Sequence, residues 1–427
     1  MRSSATRTWS SRLRWWAAAL SLLAVAAIVG IAMASRPRPG HSGRVTAQAS
    51  HLQSAWVEFD AGRYDQAVAI LDRRDAEGAA TALDWVLRAR IAQARKEPEK
   101  ALNALRRVSG SDPYAPQAWL MAGQIERGRH RFRAAEAAFR QAVRLKPDQV
   151  QARRELAYIY ALQRRRAECD AEFKALSRLI AFDYKLAFYW AQSQCGVFDP
   201  EEAIEALTPV VEADPEDRRS RRALADDYRL TSRLDLAEAT LRPLPDDDPD
   251  ARAIRAWIAI DRGNVQAAAC LVLGGGHAEN GSLDDIRGLM ALKAGDPERA
   301  ADAFRAALQR DPTDRDAIHG LGMALRQLDD PRADEYLHRT TVHDRLKRLI
   351  IACGNSRKID LSAFDELGEL CESLGRMDQA RVWYDVAISW DPLDAGAQRA
   401  LARLRKAEQA AGLGSSRSST DRAEGPG

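Results

Sequence analysis

The chain has 427 residues, of which 46% are hydrophobic and 29% charged, a composition that excludes wholesale disorder and little else. Its 64 basic residues nearly cancel its 61 acidic ones, leaving a net charge of +3. No bulk field therefore favours a nucleic acid, and any electrostatic partner has to be selected by local clusters.

The first 14 residues are basic, with Arg2, Arg7, Arg12 and Arg14, and residues 15–35, WWAAALSLLAVAAIVGIAMAS, carry no charge. That run is long enough to cross a bilayer, and Trp15-Trp16 suits a membrane interface. Two readings fit it: a retained single-pass anchor, favoured by the length, or a secretory signal cleaved near Ala34 at the Ala32-Met33-Ala34 site. Basic residues flank both ends, and their excess on the N-terminal side predicts a cytoplasmic N-terminus with the bulk of the chain exported. The richness in Ala and Arg suggests a bacterium, so the expected location is the inner membrane with the bulk in the periplasm, or the periplasm alone after cleavage. Residues 36–47, RPRPGHSGRVTA, read as a Pro/Gly linker.

From residue 48 onward, turn signals recur. Pro113, Pro147, Pro215 and Pro249 lie 34, 68 and 34 residues apart, a fixed period that marks a repeat architecture. Within residues 116–149, Trp119, Ala122 and Gly123 share one face of a first helix, and Ala135, Phe139 and Ala142 share one face of a second. Small residues at Gly123 and Ala135 allow the two backbones to approach, while Pro147 stops the second helix.

This pattern resembles the tetratricopeptide repeat, with a small residue at place 8, Ala at place 20, an aromatic or Leu at place 24 and Pro at place 32. The same register fits Trp85, Ala89, Ala101, Leu105 and Pro113, then Trp190, Ala191, Ala203, Leu207 and Pro215. It continues through Gly288, Ala300, Phe304, Ala307 and Pro312, and Gly368, Ala380, Tyr384, Ala387 and Pro392. The resemblance implies an all-α, right-handed superhelix of about ten helix-turn-helix units over residues 48–394. Residues 249–280 and 315–360 lose the spacing. Residues 395–411 form an amphipathic capping helix, and residues 412–427 read as a disordered tail.

Local catalytic motifs are missing: there is no G-x-x-x-x-G-K-[ST], H-E-x-x-H, G-x-S-x-G or C-x-x-C. Gly274-Gly275-Gly276-His277 lacks the preceding strand and following Lys of a phosphate loop and reads as a helix cap. His338 and His343 lack an evident third ligand. The cysteines, at 169, 195, 270, 353 and 371, are odd in number without paired short spacings, which argues against a disulfide framework, although Cys169 and Cys195 lie in adjacent units. No enzyme activity, cofactor or metal is expected.

The resemblance implies instead that the first helices of successive units line a concave groove for a protein or peptide segment. Carrying the groove places over gives Gln124; Arg154 and Tyr158; Phe188, Tyr189 and Gln192; Arg222 and Asp226; and the acidic set Asp365, Glu366, Glu369 and Glu372. Residues 127–166 add twelve basic residues against three acidic ones, so a groove basic and aromatic in the middle and acidic at its C-terminal end is expected. The functional expectation is a membrane-tethered, non-catalytic scaffold that recruits a partner in bacterial envelope assembly. The alternatives are a periplasmic accessory or chaperone subunit of an envelope enzyme, and an enzyme with its site in residues 270–360. Self-association stays open.

Overall fold

The computed structural model describes residues 43–273, 282–355 and 362–420. The predicted span at 15–35, its cleavage position at Ala34 and the Gly274–His277 run lie outside the described residues. Among those described, no helix is long and apolar enough to cross a membrane. They form twenty-one α-helices and no strand. The described residues divide into two compact units, with the boundary between Ala118 and Trp119.

In the first unit, α1 (Gly43–Asp60) packs on α2 (Tyr64–Ala76), and α3 (Ala82–Ala94) packs on α4 (Pro98–Leu105). Ala55, Ala67, Leu71, Leu87 and Ile91 form the shared core, edged by Trp56, Phe59 and Tyr64. A buried ion pair ties α2 to α3. Arg74 Nε and Nη2 donate to the two carboxylate oxygens of Asp84 at 2.6 and 3.1 Å, while Thr81, at the N-cap of α3, donates from Oγ1 and N to Asp84 Oδ2 at 2.7 and 2.9 Å. Burial alone would raise the Asp84 pKa, but these hydrogen bonds outweigh it and hold the carboxyl below its ordinary value.

α5 (Ala115–Gly128) spans the division between the units. The second unit continues with α6 (Phe132–Leu145), α7 (Val150–Leu162), α8 (Arg166–Leu179), α9 (Tyr184–Cys195), α10 (Pro200–Ala213), α11 (Arg218–Leu230) and α12 (Leu234–Leu241). Then come α13 (Pro249–Asp261), α14 (Val265–Leu273), α15 (Ser282–Lys293), α16 (Pro297–Arg310), α17 (Arg315–Gln327), α18 (Ala333–Asn355), α19 (Ser362–Ser373), α20 (Met377–Trp390) and α21 (Ala395–Thr420). Helical backbone thus runs to Thr420, past the position where the sequence suggests a tail. At the other end it begins at Gly43, inside the expected linker.

One contact explains why the pairs form. A glycine on the first helix lies under an aromatic ring of the second: Gly123 under Phe139, Gly288 under Phe304 and Gly368 under Tyr384. A Cβ placed on Gly288 would lie 2.6 Å from Phe304 Cε1, inside van der Waals contact. The rings of Phe139, Phe304 and Tyr384 are at most 1% exposed. Between the two helices of each pair, one turn residue adopts the left-handed conformation. Gly263, Gly295 and Gly375 occupy it without penalty, whereas Lys96, His130, Arg164, Ser232 and Asp329 hold it at φ between 54° and 61°.

Several helix starts are set by Asp and Pro. Asp248 accepts from Ala251 N at 3.0 Å and Asp296 accepts from Arg299 N at 3.1 Å, with Pro249 and Pro297 in the first turn of their helices. Pro249, expected to close a helix, opens one. Pro147, Pro215, Pro312 and Pro392 lie in the turns.

The two stretches that lose the repeat spacing differ in kind. Residues 249–273 form an ordinary helix pair, α13 on α14, cored by Ala253, Ala256, Ala268 and Val272. Residues 333–355 instead form a single 23-residue helix, α18, so the spacing vanishes because the second helix of that pair is extended. Replacing Gly288 by Ala is expected to destabilise the second unit by about 1–3 kcal/mol through overpacking against Phe304. His130→Gly should stabilise it by about 1 kcal/mol by relieving the left-handed turn. Urea denaturation midpoints with unchanged slopes would verify both signs.

Candidate partner-binding surface

α9, YKLAFYWAQSQC, is capped at its start by Asp183, which accepts from Leu186 N at 2.8 Å, and ends at Gly196 in the left-handed conformation. It packs on α8, on α18 and on α20, and makes no extensive contact with α10 among the described residues. α10 packs on α7 and α11 instead. Gln163 Nε2 donates to Ser220 Oγ at 2.9 Å, Arg133 pairs with Asp214 at 3.2 Å, and Arg164 pairs with Asp227. The helices before and after α9 therefore close up on each other, and α9 joins the C-terminal repeats.

Aromatic rings hold it there. Trp190, 1% exposed, stacks on Phe173 with centroids 5.8 Å apart and donates from Nε1 to Asp170 Oδ1 at 2.9 Å. Tyr184 stacks on Phe188 at 5.5 Å and meets Phe364 at 5.5 Å and Trp383 at 6.3 Å. Phe188 and Gln192 are buried, and Tyr189 is half-buried. Trp190 is core, as its repeat place suggests.

The remaining candidate residues fall into three situations. Gln124, Arg154 and Tyr158 are half-buried on α5 and α7, with Tyr158 edge-on to Phe132 at 6.4 Å. On α11, Arg222 is engaged by Asp248 at 2.9 Å and by Asp250, and Asp226 by Arg229 at 2.8 Å and Arg164 at 3.5 Å. On α19, Glu366 meets Arg345 at 2.5 Å. Glu372 accepts from Tyr384 Oη at 2.7 Å and from Arg403 at 2.8 Å. Asp365 is half-buried, and its pKa is raised by burial and by Asp394. Glu369 is exposed. Most of the charges at groove places are thus neutralised within the chain, and α9 is brought beside the acidic helix pair rather than standing apart from it.

A second acidic cluster was not among the sequence candidates. Asp285 is 5% exposed, and its Oδ1 has no hydrogen-bond partner. Burial and the neighbouring Asp314, Asp316, Asp284 and Asp311 push its carboxyl up to about 9. Arg166, reaching from α8, stands 3.5 Å from Asp311 and 3.9 Å from Asp314. Asp285 sits three residues before Gly288, at place 5 of its repeat, so the register that located Phe188 points equally to this residue.

Two thiols and one histidine of this unit are chemically quiet. Burial pushes Cys169 and Cys371 up to about 12, and burial with nearby Arg376 and Arg339 pushes His343 down to about 3. None of the five cysteines forms a disulfide. Among the described residues no group of His, Cys, Asp and Glu has the arrangement to hold a metal ion.

The described fold is an all-α tetratricopeptide solenoid. One tetratricopeptide-repeat family model matches residues 120–168, 199–252 and 287–335, and another matches residues 361–392. No curated protein matches the chain. Among solved structures, it is similar to a tetratricopeptide repeat protein from Parabacteroides merdae at 14% identity, covering 57% of this chain and 98% of that one with a TM-score of 0.30. It is similar to the APC/C hetero-tetramer Cut9-Hcn1 at 12% identity, covering 84% and 90% with a TM-score of 0.34. The C-terminal part of a repeat-containing protein from Cytophaga hutchinsonii matches at 14% identity, covering 63% and 99% with a TM-score of 0.30.

Because the folded chain holds a proton on Asp285 that the unfolded chain releases above about pH 4, this group subtracts from stability as pH rises from about 4 towards 9. Asp285→Asn is expected to melt higher than wild type at pH 8, by the equivalent of about 1–3 kcal/mol, and to converge with it at pH 4. Denaturation curves at the two pH values check the sign.

Proposed function

We propose that this protein is a non-catalytic interaction scaffold whose repeat array binds a protein partner. The observation that carries the reading is the recurrent seam of glycine under aromatic ring, at Gly123/Phe139, Gly288/Phe304 and Gly368/Tyr384. It commits the large apolar side chains to packing between helices and leaves half-buried polar and aromatic groups on the first helices for recognition. In this reading Arg154 and Tyr158 on α7, flanked by Gln124, form the primary contact. Phe188 belongs to the fold, since it is 8% exposed and stacked on Tyr184.

The finer proposal tethers the array to a bacterial inner membrane through residues 15–35, with the repeats in the periplasm and the partner an envelope protein. Its support is the uncharged run of 21 residues flanked by arginines.

Crosslinked recovery of partners from cells carrying the full chain tests the scaffold. Arg154→Glu with Tyr158→Ala is expected to weaken capture at least tenfold while the melting temperature stays within a few degrees, the behaviour of a contact anchor. Undiminished capture would remove these residues from the contact, and turnover of a substrate by the purified chain would defeat the non-catalytic reading. Reporter fusions after residue 45 and at the C-terminus are expected to signal from the periplasm; cytoplasmic signals from both would refute export.

A further inference from the structure

α20 begins without a cap. Arg376 occupies its N-cap position and no side chain accepts from its first-turn amides, although such a terminus favours negative charge. The Arg376 backbone N–H donates to Cys371 O at 2.8 Å. The guanidinium is less well served: Nη2 lies 3.5 Å from His343 Nδ1, while Nε and Nη1 are buried without an acceptor.

Gln379, at the third position of the helix, is 2% exposed, and neither atom of its amide has a partner. Side chains at this position lean back towards the helix N-terminus, where a Gln ordinarily accepts from the N-cap amide. Here that amide is already engaged by Cys371, which leaves the Gln379 amide, about one turn along the helix from Arg376, with both a donor and an acceptor to satisfy.

Three other segments close around this point. α18 contributes His343, 6% exposed, and Lys347 one turn along the same face. α9 ends there at Cys195, and a Cβ on the following Gly196 would lie 3.3 Å from Arg166 Nη2 at the start of α8. The acidic residues nearby are otherwise engaged. Asp378 is near Arg178 at 3.6 Å and Arg381 at 3.5 Å, Asp344 meets Arg315 at 2.8 Å, and Asp311 and Asp314 stand beside Arg166. Among the described residues Arg376 and Lys347 are in no ion pair, whereas Arg166 is shared between Asp311 and Asp314. Burial raises the Cys195 thiol, and Arg376, through its charge and a hydrogen bond to the thiol, opposes that rise together with the charges of Arg166 and Lys347.

We propose that the junction of α9, α18 and α20 is a phosphate-binding site, with Arg376 and Gln379 as hydrogen-bonding residues and Lys347 supplying further charge. An always-charged guanidinium with two idle nitrogens calls for an oxyanion. The idle Gln379 Oε1 narrows the class, because it needs a donor: hydrogen phosphate carries an O–H, and a carboxylate does not. A free phosphate ion and a phosphorylated side chain in its monoanionic form, which prevails below about pH 6, share this chemistry.

The test is thermal unfolding of the intact chain, followed by circular dichroism, in inorganic phosphate, sodium acetate or sodium chloride at equal ionic strength. Phosphate at about ten times its dissociation constant is expected to raise the melting temperature by about 2–4 °C over both controls. Arg376→Gln and Gln379→Leu should each abolish that increment. Gln379→Leu should also melt higher than wild type without phosphate, since it removes a buried amide that has no partner, and so it serves as the test should Arg376→Gln fail to fold. Saturation by phosphoserine at a lower concentration than inorganic phosphate would assign the site to a phosphorylated side chain, and the reverse order to the free ion. Equal shifts in acetate or chloride, or a phosphate increment retained by both variants, would overturn the proposal.

Discussion

The second unit depends on how closely two helices can approach. Where Gly288 faces Phe304 and Gly368 faces Tyr384, the absent Cβ lets the ring lie on bare backbone, and the helix pair becomes one layer with a sealed interior. Phe304 also lies against Gly320 of the following pair. The same ring thus joins successive repeats, and stacking propagates from each pair to the next through side chains already committed to the core.

This constraint was readable in the sequence because it is local. Small residues and rings recur at fixed spacing, and the spacing places them on facing sides of adjacent helices before any tertiary contact is known. The position of α9 was not readable in the same way. Periodicity reveals which face of YKLAFYWAQSQC is apolar, but not which helix covers it, and Tyr184 is covered by Phe364 and Trp383 from far along the chain. The extension of α18 was visible only as lost spacing, since a long second helix and an irregular segment erase the register alike.

The candidate surface divides on similar lines. Register places a residue on the first-helix face, but its partner there is set by tertiary neighbours. Arg222 and Asp226 look like free charges in the sequence, yet Asp248, Asp250, Arg229 and Arg164 balance them. Asp285 and Gln379 are the reverse case, polar residues in unremarkable sequence surroundings that the fold buries without partners. Recognition properties of this array therefore arise less from residues that lack a packing role than from polar groups that packing leaves unsatisfied.

The docking of α9 on α20 changes the order in which the second unit can be completed during synthesis. In an ordinary solenoid each repeat gains its neighbour soon after it emerges from the ribosome, and folding advances along the chain. Here α9 must wait for residues roughly 180 positions downstream, a loop whose closure entropy grows only slowly with length but whose delay is set by translation. Until α20 has been made, the apolar face carrying Tyr184 and Phe188 has no lasting cover, which makes a nascent or truncated chain the form of this protein most exposed to holdase chaperones and to aggregation.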